Sequence, residues 1–310
     1  MKKPIIGCVG LCGQSVFLSV DHFHRTGETI HAQHLFCEPG GKAYNQAVAA
    51  KRLGAEVLFF GCVGDDADGA ICERVLLEEG ITPILHKVHG IPTAYAYILT
   101  DQNGENQVTT YRGAADLLTS QFLYHHEEQI RKCDMLLLGM ECPIEATAAA
   151  FAIADSNRIP VVFNPAPAVQ VPEDFIRRSF VVTPNEREAA EIFKVSPVSE
   201  PQYFCEVAAQ FGGINLIVTL GRKGAMLIAS GTRQMIQGIP VNAVDTTGAG
   251  DTFNAALAVW LAKGSTLSEA AYYAILASAY SVQYAHVLSG LPTLQQLQSW
   301  RKKGQTLSET

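Results

Sequence analysis

Apolar residues recur along this chain in two rhythms. Short apolar runs at 4–10, 56–62, 134–139, 160–164, 179–183, 214–219 and 224–229 read as buried strands. Between them, apolar positions repeat at helical spacing over 42–53, 68–80, 145–157, 186–194, 201–211, 251–263 and 267–287. Strand and helix alternate with few long linkers, which predicts an α/β fold with a mostly parallel central sheet covered on both faces. Two segments break the rhythm, 15–38 and 93–112. In the second, ThrAlaTyrAlaTyrIleLeuThr, then AsnGly, then AsnGlnValThrThrTyr read as a hairpin. The expectation is a small antiparallel sheet beside the main one, placed as a lid. No internal repeat or low-complexity segment divides the chain, so one domain is expected over 1–310.

Composition narrows the function classes. With 48% hydrophobic residues in 310, the chain can bury a substantial core. The formal net charge is −7, and Lys and Arg are dispersed, which argues against a nucleic-acid or anionic-membrane surface. A phosphorylated ligand would therefore be held by local donors. The cysteines at 8, 12, 37, 62, 72, 133, 142 and 205 form no C-x-x-C pair and several sit in apolar runs, a usage that suits a reducing cytoplasm. His22, His24, His31 and His34 have no acidic or thiol partner at a metal-ligand spacing and read as structural or solvated. Lys2 and Lys3 precede too short an apolar stretch for a signal peptide. Residues 270–300 carry little charge but are rich in Ala, Ser and Tyr, which suits a core helix better than a membrane span.

Two glycine-rich stretches carry the chemistry. In VDTTGAGDTF, Val244 to Phe253, Gly248, Ala249 and Gly250 leave main-chain N–H groups open where a helix begins, a natural anion cradle. Asp251 follows at once. It reads either as a helix-capping acid or as a base that takes a proton from a group attacking a bound phosphate. In EPGGKAYNQAVAAKRLGA, Glu38 to Ala55, Gly40 and Gly41 precede a helix whose first turns present Lys42 and Asn45. Adjacent glycines let backbone approach a polyol, and Lys42 and Asn45 can bond its hydroxyls; a tight turn capped into a helix explains the same glycines without a ligand.

Both stretches, in this order, resemble the two signatures of the ribokinase-like, or PfkB-type, family of carbohydrate and nucleoside kinases. CVGDDADG at 62–69, MECPIE at 140–145, NPAP at 164–167, TPNEREA at 183–189 and TLGRKGA at 219–225 match the family between them, so the resemblance runs nearly end to end. It implies a three-layer sandwich with a β-lid (about 15–38 and 93–112), ATP as phosphoryl donor and a primary hydroxyl of a small sugar as acceptor. Asp251 then matches the general base, and Gly248, Ala249 and Gly250 the anion hole. Asn185 and Glu188 match an N-x-x-E element that organises Mg2+ through its waters. Thr219, Gly221 and Gly224, with Asn185, Gly248 and Gly250, are expected beside the nucleotide. Asp245 and Thr247 match positions that help hold a monovalent cation, but YAHVLSGLP at 284–292 departs from the family's Gly/Ala-rich pattern, so a K+ requirement stays open. The resemblance also implies a homodimer through the lid, whose apolar Phe17, Tyr95, Tyr97 and Ile98 need a cover.

The acceptor is the least defined part. Ribose-binding members carry an Asn and an Asp just after the first strand, where GLCGQS here puts Gly13 and Ser15. Gly40, Gly41, Lys42, Asn45, Glu141 and Asp251 complete the expected acceptor site. Ribose is therefore not the expected preferred substrate. Tyr44, Phe17 and Tyr111 are the candidates for a wall against a nucleoside base, the alternative within the fold. A non-catalytic sugar or nucleotide sensor is the alternative outside catalysis, and the intact Asp251 with its anion hole argues against it.

Overall fold

The computed structural model describes residues 3–168, 170–194 and 201–308. In chain order the first strands and helices are β1 (Ile5–Val9), β2 (Gly13–Ser19), β3 (His34–Gly40), α1 (Lys42–Arg52), β4 (Glu56–Gly64), α2 (Ala67–Glu78), β5 (Thr82–Val88), β6 (Ala94–Thr100) and β7 (Asn106–Tyr111). Next come α3 (Ser120–His125), α4 (Glu127–Ile130), β8 (Met135–Gly139), α5 (Ile144–Asn157), β9 (Val161–Asn164), α6 (Glu173–Arg178), β10 (Val181–Val182), α7 (Glu186–Phe193) and α8 (Pro201–Gln210). The chain finishes with β11 (Asn215–Thr219), β12 (Gly224–Ala229), β13 (Thr232–Gln237), α9 (Ala249–Ala262), α10 (Leu267–Ser281) and α11 (Leu294–Ser308).

Nine strands form the main sheet in the order β13-β12-β11-β10-β9-β8-β1-β4-β5, parallel throughout except for the antiparallel β11–β12–β13 edge. Strands buried on both faces need apolar residues on both, and Met135-Leu136-Leu137-Leu138 shows this: Leu137 packs with one core, Leu136 and Leu138 with the other. The first core takes α1, α9 and α10 through residues such as Ala47, Leu257 and Ala274; the second takes α5, α6 and α7 through Ala150, Phe175 and Ala189. The expected three layers result. The small residues of α10 are buried in the core against α9, and the burial is what the Ala- and Ser-rich composition predicts.

The lid is a separate sheet of order β3-β2-β6-β7. Its outer pairings, β2–β3 and β6–β7, are antiparallel as expected, whereas the central β2–β6 pairing is parallel. Register assigns its faces. Phe17 is level with Phe36 and Ile98, while Tyr97 is level with Val16 on the opposite face. The expected common apolar face of Phe17, Tyr95, Tyr97 and Ile98 is thus split: Phe17 and Ile98 are buried within the chain, and Tyr97 is exposed on the other side with Leu35 and Tyr111.

The last core helix stops at Ser281 and not at 287. Beyond it the N–H groups of His286, Val287 and Leu288 bond to Asp245 and Glu38 instead of to the preceding turn, and His286 turns left-handed at φ 64°.

Candidate active site

The two glycine-rich stretches meet at the helix starts of α1 and α9. Gly41, the residue before α1, sits at φ 118°, and a Cβ there would lie 2.5 Å from the Leu11 carbonyl oxygen. Only glycine can make this approach. The first N–H groups of α1 are not left to solvent: Lys42 N–H donates to Glu141 Oε2 at 2.7 Å, and Ala43 N–H also reaches that carboxylate. Glu141 is partly buried beside them, and desolvation pushes its carboxyl up to about 7 against the pull of Lys42. Gly40 faces Ser15, whose hydroxyl occupies the space a side chain at 40 would need, with Asn45 Oδ1 next to it.

Lys42, Asn45 and Gln46 lie at i, i+3 and i+4 and so share the face of α1 turned to α9. Asn45 Nδ2 donates to Asp251 Oδ2 at 2.8 Å and Gln46 Nε2 to Oδ1 at 3.4 Å. Gln46 belongs to this site although only Lys42 and Asn45 were expected; the helical spacing from Lys42 was the signal that marks it. Asp251 is 5% exposed. Burial raises its pKa, and the Lys42 ammonium is the largest influence holding it down, followed by Asn45 and Gln46. Asn45 Oδ1, itself buried, has no protein partner. An unpaired buried acceptor beside a carboxylate suits an incoming hydroxyl.

Helix α9 starts from Gly248, left-handed at φ 76°. Of the three expected anion-hole donors, Ala249 N–H is drawn back to the Thr246 carbonyl at 3.2 Å. Gly250 has open space where a side chain would stand. With Asp251 it supplies first-turn N–H groups that an α-helix cannot pair internally. Asn254 donates to the Gly250 carbonyl and accepts from Thr183, fixing this turn. On the other side of Gly250 lies a cleft of about 500 Å³ bounded by Thr219, Gly221, Gly224 and Ala249, with apolar walls from Ile239, Val241 and Ile275. Those walls, from 238–243 and α10, carry no phosphate-type signature and were not anticipated. Asn185 is joined by a backbone bridge to Thr219, which lines the cleft.

The three candidates for a nucleoside-base wall, which the alternative reading requires, do not come together. Tyr44 is fully buried against Phe59 with its hydroxyl donating to the Cys72 carbonyl, Phe17 is covered by His286, and Tyr111 is half-exposed on the outer lid face. At Gly13 a Cβ would overlap the Ala94 backbone, so no side chain fits there.

A site with a buried carboxylate between two glycine-opened helix starts can accept a proton from a hydroxyl while main-chain donors take up charge on a phosphoryl group. The profile of the pfkB family carbohydrate kinases matches residues 6–294. The chain belongs to the pfkB family of carbohydrate kinases. It is 36% identical over 300 residues to the ribokinase of Haemophilus influenzae, covering 96% of this chain and 97% of the relative. The ribokinase of Thermotoga maritima superposes with a TM-score of 0.87 at 31% identity, covering 97% of this chain and 100% of that one. Arabidopsis thaliana ribokinase, solved with ribose and ATP, superposes at 0.88 with 26% identity over 96% of this chain and 98% of that one. This pfkB kinase is an ATP-dependent carbohydrate kinase, acting on a small sugar; the nucleoside alternative is not favoured.

The two ions implied by the family differ in how they suit these residues. Glu188 and Asn185 form a capping box at the start of α7: Asn185 N–H donates to Glu188 Oε2 at 2.9 Å, and Glu188 N–H to Asn185 Oδ1 at 2.8 Å. Among the described residues no hydrogen bond engages Glu188 Oε1, and the carboxylate feels the charges of Lys42 and Asp251. That donor set suits Mg2+ held through water. A monovalent cation at Asp245 would share each carboxylate oxygen with one main-chain donor. Both Asp245 oxygens already accept N–H groups, from Thr247 at 2.9 Å and His286 at 3.1 Å.

Proposed function

We propose that this kinase transfers the γ-phosphoryl group of ATP to a primary hydroxyl of a small sugar other than ribose, with Asp251 as general base. The observation that carries the base is the pairing of buried Asp251 with Asn45, whose Oδ1 is left for the acceptor. Lys42, Ser15 and Glu141 would bind further hydroxyls, and the N–H groups of Gly250 and Asp251 at the Gly248 start would form the anion hole. The ATP would lie in the cleft bounded by Thr219, Gly221 and Gly224. The argument against ribose is subtractive. Gly13 offers no side chain, Ser15 offers a neutral hydroxyl, and the Ala94 backbone rules out regaining a partner by substitution at 13. An unmatched buried hydroxyl costs ~1–3 kcal/mol, so a sugar lacking or altering the substituents opposite Gly13 is favoured over ribose. The test is kcat/KM across ribose, 2-deoxyribose, hexoses and nucleosides at fixed ATP. Ribose as the best acceptor of that panel would overturn this assignment.

Mg2+ would be held through waters by Glu188, oriented by Asn185, and when bound it would neutralise phosphate charge. Glu188→Ala should raise the Mg2+ concentration for half-maximal rate while leaving acceptor KM nearly unchanged. An unaltered Mg2+ dependence returns Glu188 to a capping role alone.

A homodimer through the lid, one domain per chain and a cytoplasmic site complete the reading. The outer lid face supports the dimer: Leu35 is 66% and Tyr97 41% exposed on the side away from Phe17. Light scattering at micromolar concentration should give twice the 33.5 kDa chain mass. Leu35→Glu should lower it, and a wild-type monomer sinks the idea. Free cysteines and the lack, among the described residues, of a helix long and apolar enough to cross a membrane support the cytoplasmic assignment.

A further inference from the structure

Three consecutive residues after α10 touch both halves of the site. The His286 ring stacks on Phe36 with centroids 3.9 Å apart and planes 13° from parallel, and meets Phe17 edge-on at 5.0 Å. Both aromatics lie on the inner lid face, level with each other in register. The main chain of the same residue turns the other way, donating its N–H to Asp245, three residues before Gly248. Val287 then packs its side chain on Gly248 itself, where a Cβ would come within 2.5 Å of Val287 Cγ1. The Val287 and Leu288 N–H groups donate at 2.8 and 3.2 Å to the two oxygens of Glu38, a lid residue two positions before Gly40. Arg52 fixes the rest of the loop by donating to the carbonyls of Leu288 and Leu291.

We propose that Phe36, Glu38 and His286 are positioning residues that couple seating of the lid over the sugar to the geometry of the anion hole at Gly248. The lid cannot shift at Phe36 or Glu38 without loosening His286 to Leu288, and these residues hold the turn from which α9 starts. With the lid seated, Asp251 takes the hydroxyl proton as the sugar oxygen attacks the γ-phosphorus and the bond to the ADP oxygen breaks. With this connection loosened, water reaches the same phosphorus more often, giving ADP and inorganic phosphate with the proton released to solvent. Such coupling between sites is commonly worth ~5- to 150-fold. This inference rests on the proposed acceptor site, to which the lid strand β2 contributes Ser15.

The test measures ADP and sugar phosphate together, using the full chain, saturating MgATP and the fastest sugar of the acceptor panel. Wild type should form them one to one. Phe36→Ala removes the stack from an exposed strand position without altering the left-handed backbone at His286, and Glu38→Gln keeps one acceptor oxygen but loses the second. Both should lower kcat by about tenfold, leave the KM for ATP little changed and make more ADP than sugar phosphate. Phe36→Tyr, which keeps the stack, should behave as wild type. One-to-one products with unchanged kcat in Phe36→Ala and Glu38→Gln would overturn the coupling, even if their melting temperatures fall. Sugar turnover by wild type tests the acceptor reading separately, so the two can fail independently.

Discussion

Replacing Asp251 by Asn should abolish practical sugar phosphorylation, lowering kcat by ~10²- to 10⁴-fold, the range for losing a positioned general base. The substitution is nearly isosteric, and the pocket can accommodate it. Asn45 and Gln46 now donate to the two carboxylate oxygens; in the variant one of these bonds can persist to the amide oxygen, while the amide nitrogen faces a donor. Some stability is lost there, but Lys42 remains beside Glu141, and the cleft past Gly250 is untouched. ATP binding, followed by nucleotide-dependent thermal shift, should therefore stay close to wild type while product formation disappears. Turnover within a few-fold of wild type would remove Asp251 from the mechanism.

How much of this arrangement was legible depends on the range over which each feature acts. Buried parallel strands such as 135–138 announce themselves because both faces are apolar, and the starts of α1 and α9 because glycines and polar residues are packed into a few positions. Edge strands do not. In β5, Pro83, His86 and Lys87 interrupt any alternation, which an edge tolerates because one side needs no ladder partner, and β13 with Arg233 and Gln234 is exposed for the same reason. Within the site, Gln46 was readable from local helical spacing. Glu38 and the loop it binds were not: Glu38 and Val287 stand 249 residues apart, and no periodicity links a lid carboxylate to the N–H groups that end a helical pattern early. Tyr44, a candidate for a base wall under the nucleoside alternative, lies elsewhere for a related reason. An aromatic on a helix facing the sheet has a core to fill, and Tyr44 fills it against Phe59.

Lys42→Gln should shift the pH dependence of the reaction and, at neutral pH, cost about ten- to a hundredfold in rate. Burial raises the Asp251 pKa, and the Lys42 ammonium is the strongest influence opposing that rise. A nearby opposite charge lowers a carboxyl's pKa, so removing it lets that of Asp251 climb further. The base must be ionised to accept the hydroxyl proton, so the acid limb of kcat moves to higher pH and activity partly returns as pH rises. Stability should move the opposite way. A carboxyl whose folded pKa lies above its unfolded value binds its proton more tightly when folded, and the variant therefore loses stability as pH rises between those two values. Glu141, already held near 7 by desolvation, loses the same cation and adds to this slope. The expected signature is thus a rate that rises while the melting temperature falls over one pH interval, measured side by side from pH 5 to 9. If the variant is slow but keeps the wild-type acid limb, Lys42 acts on the substrate alone and does not set the charge state of Asp251.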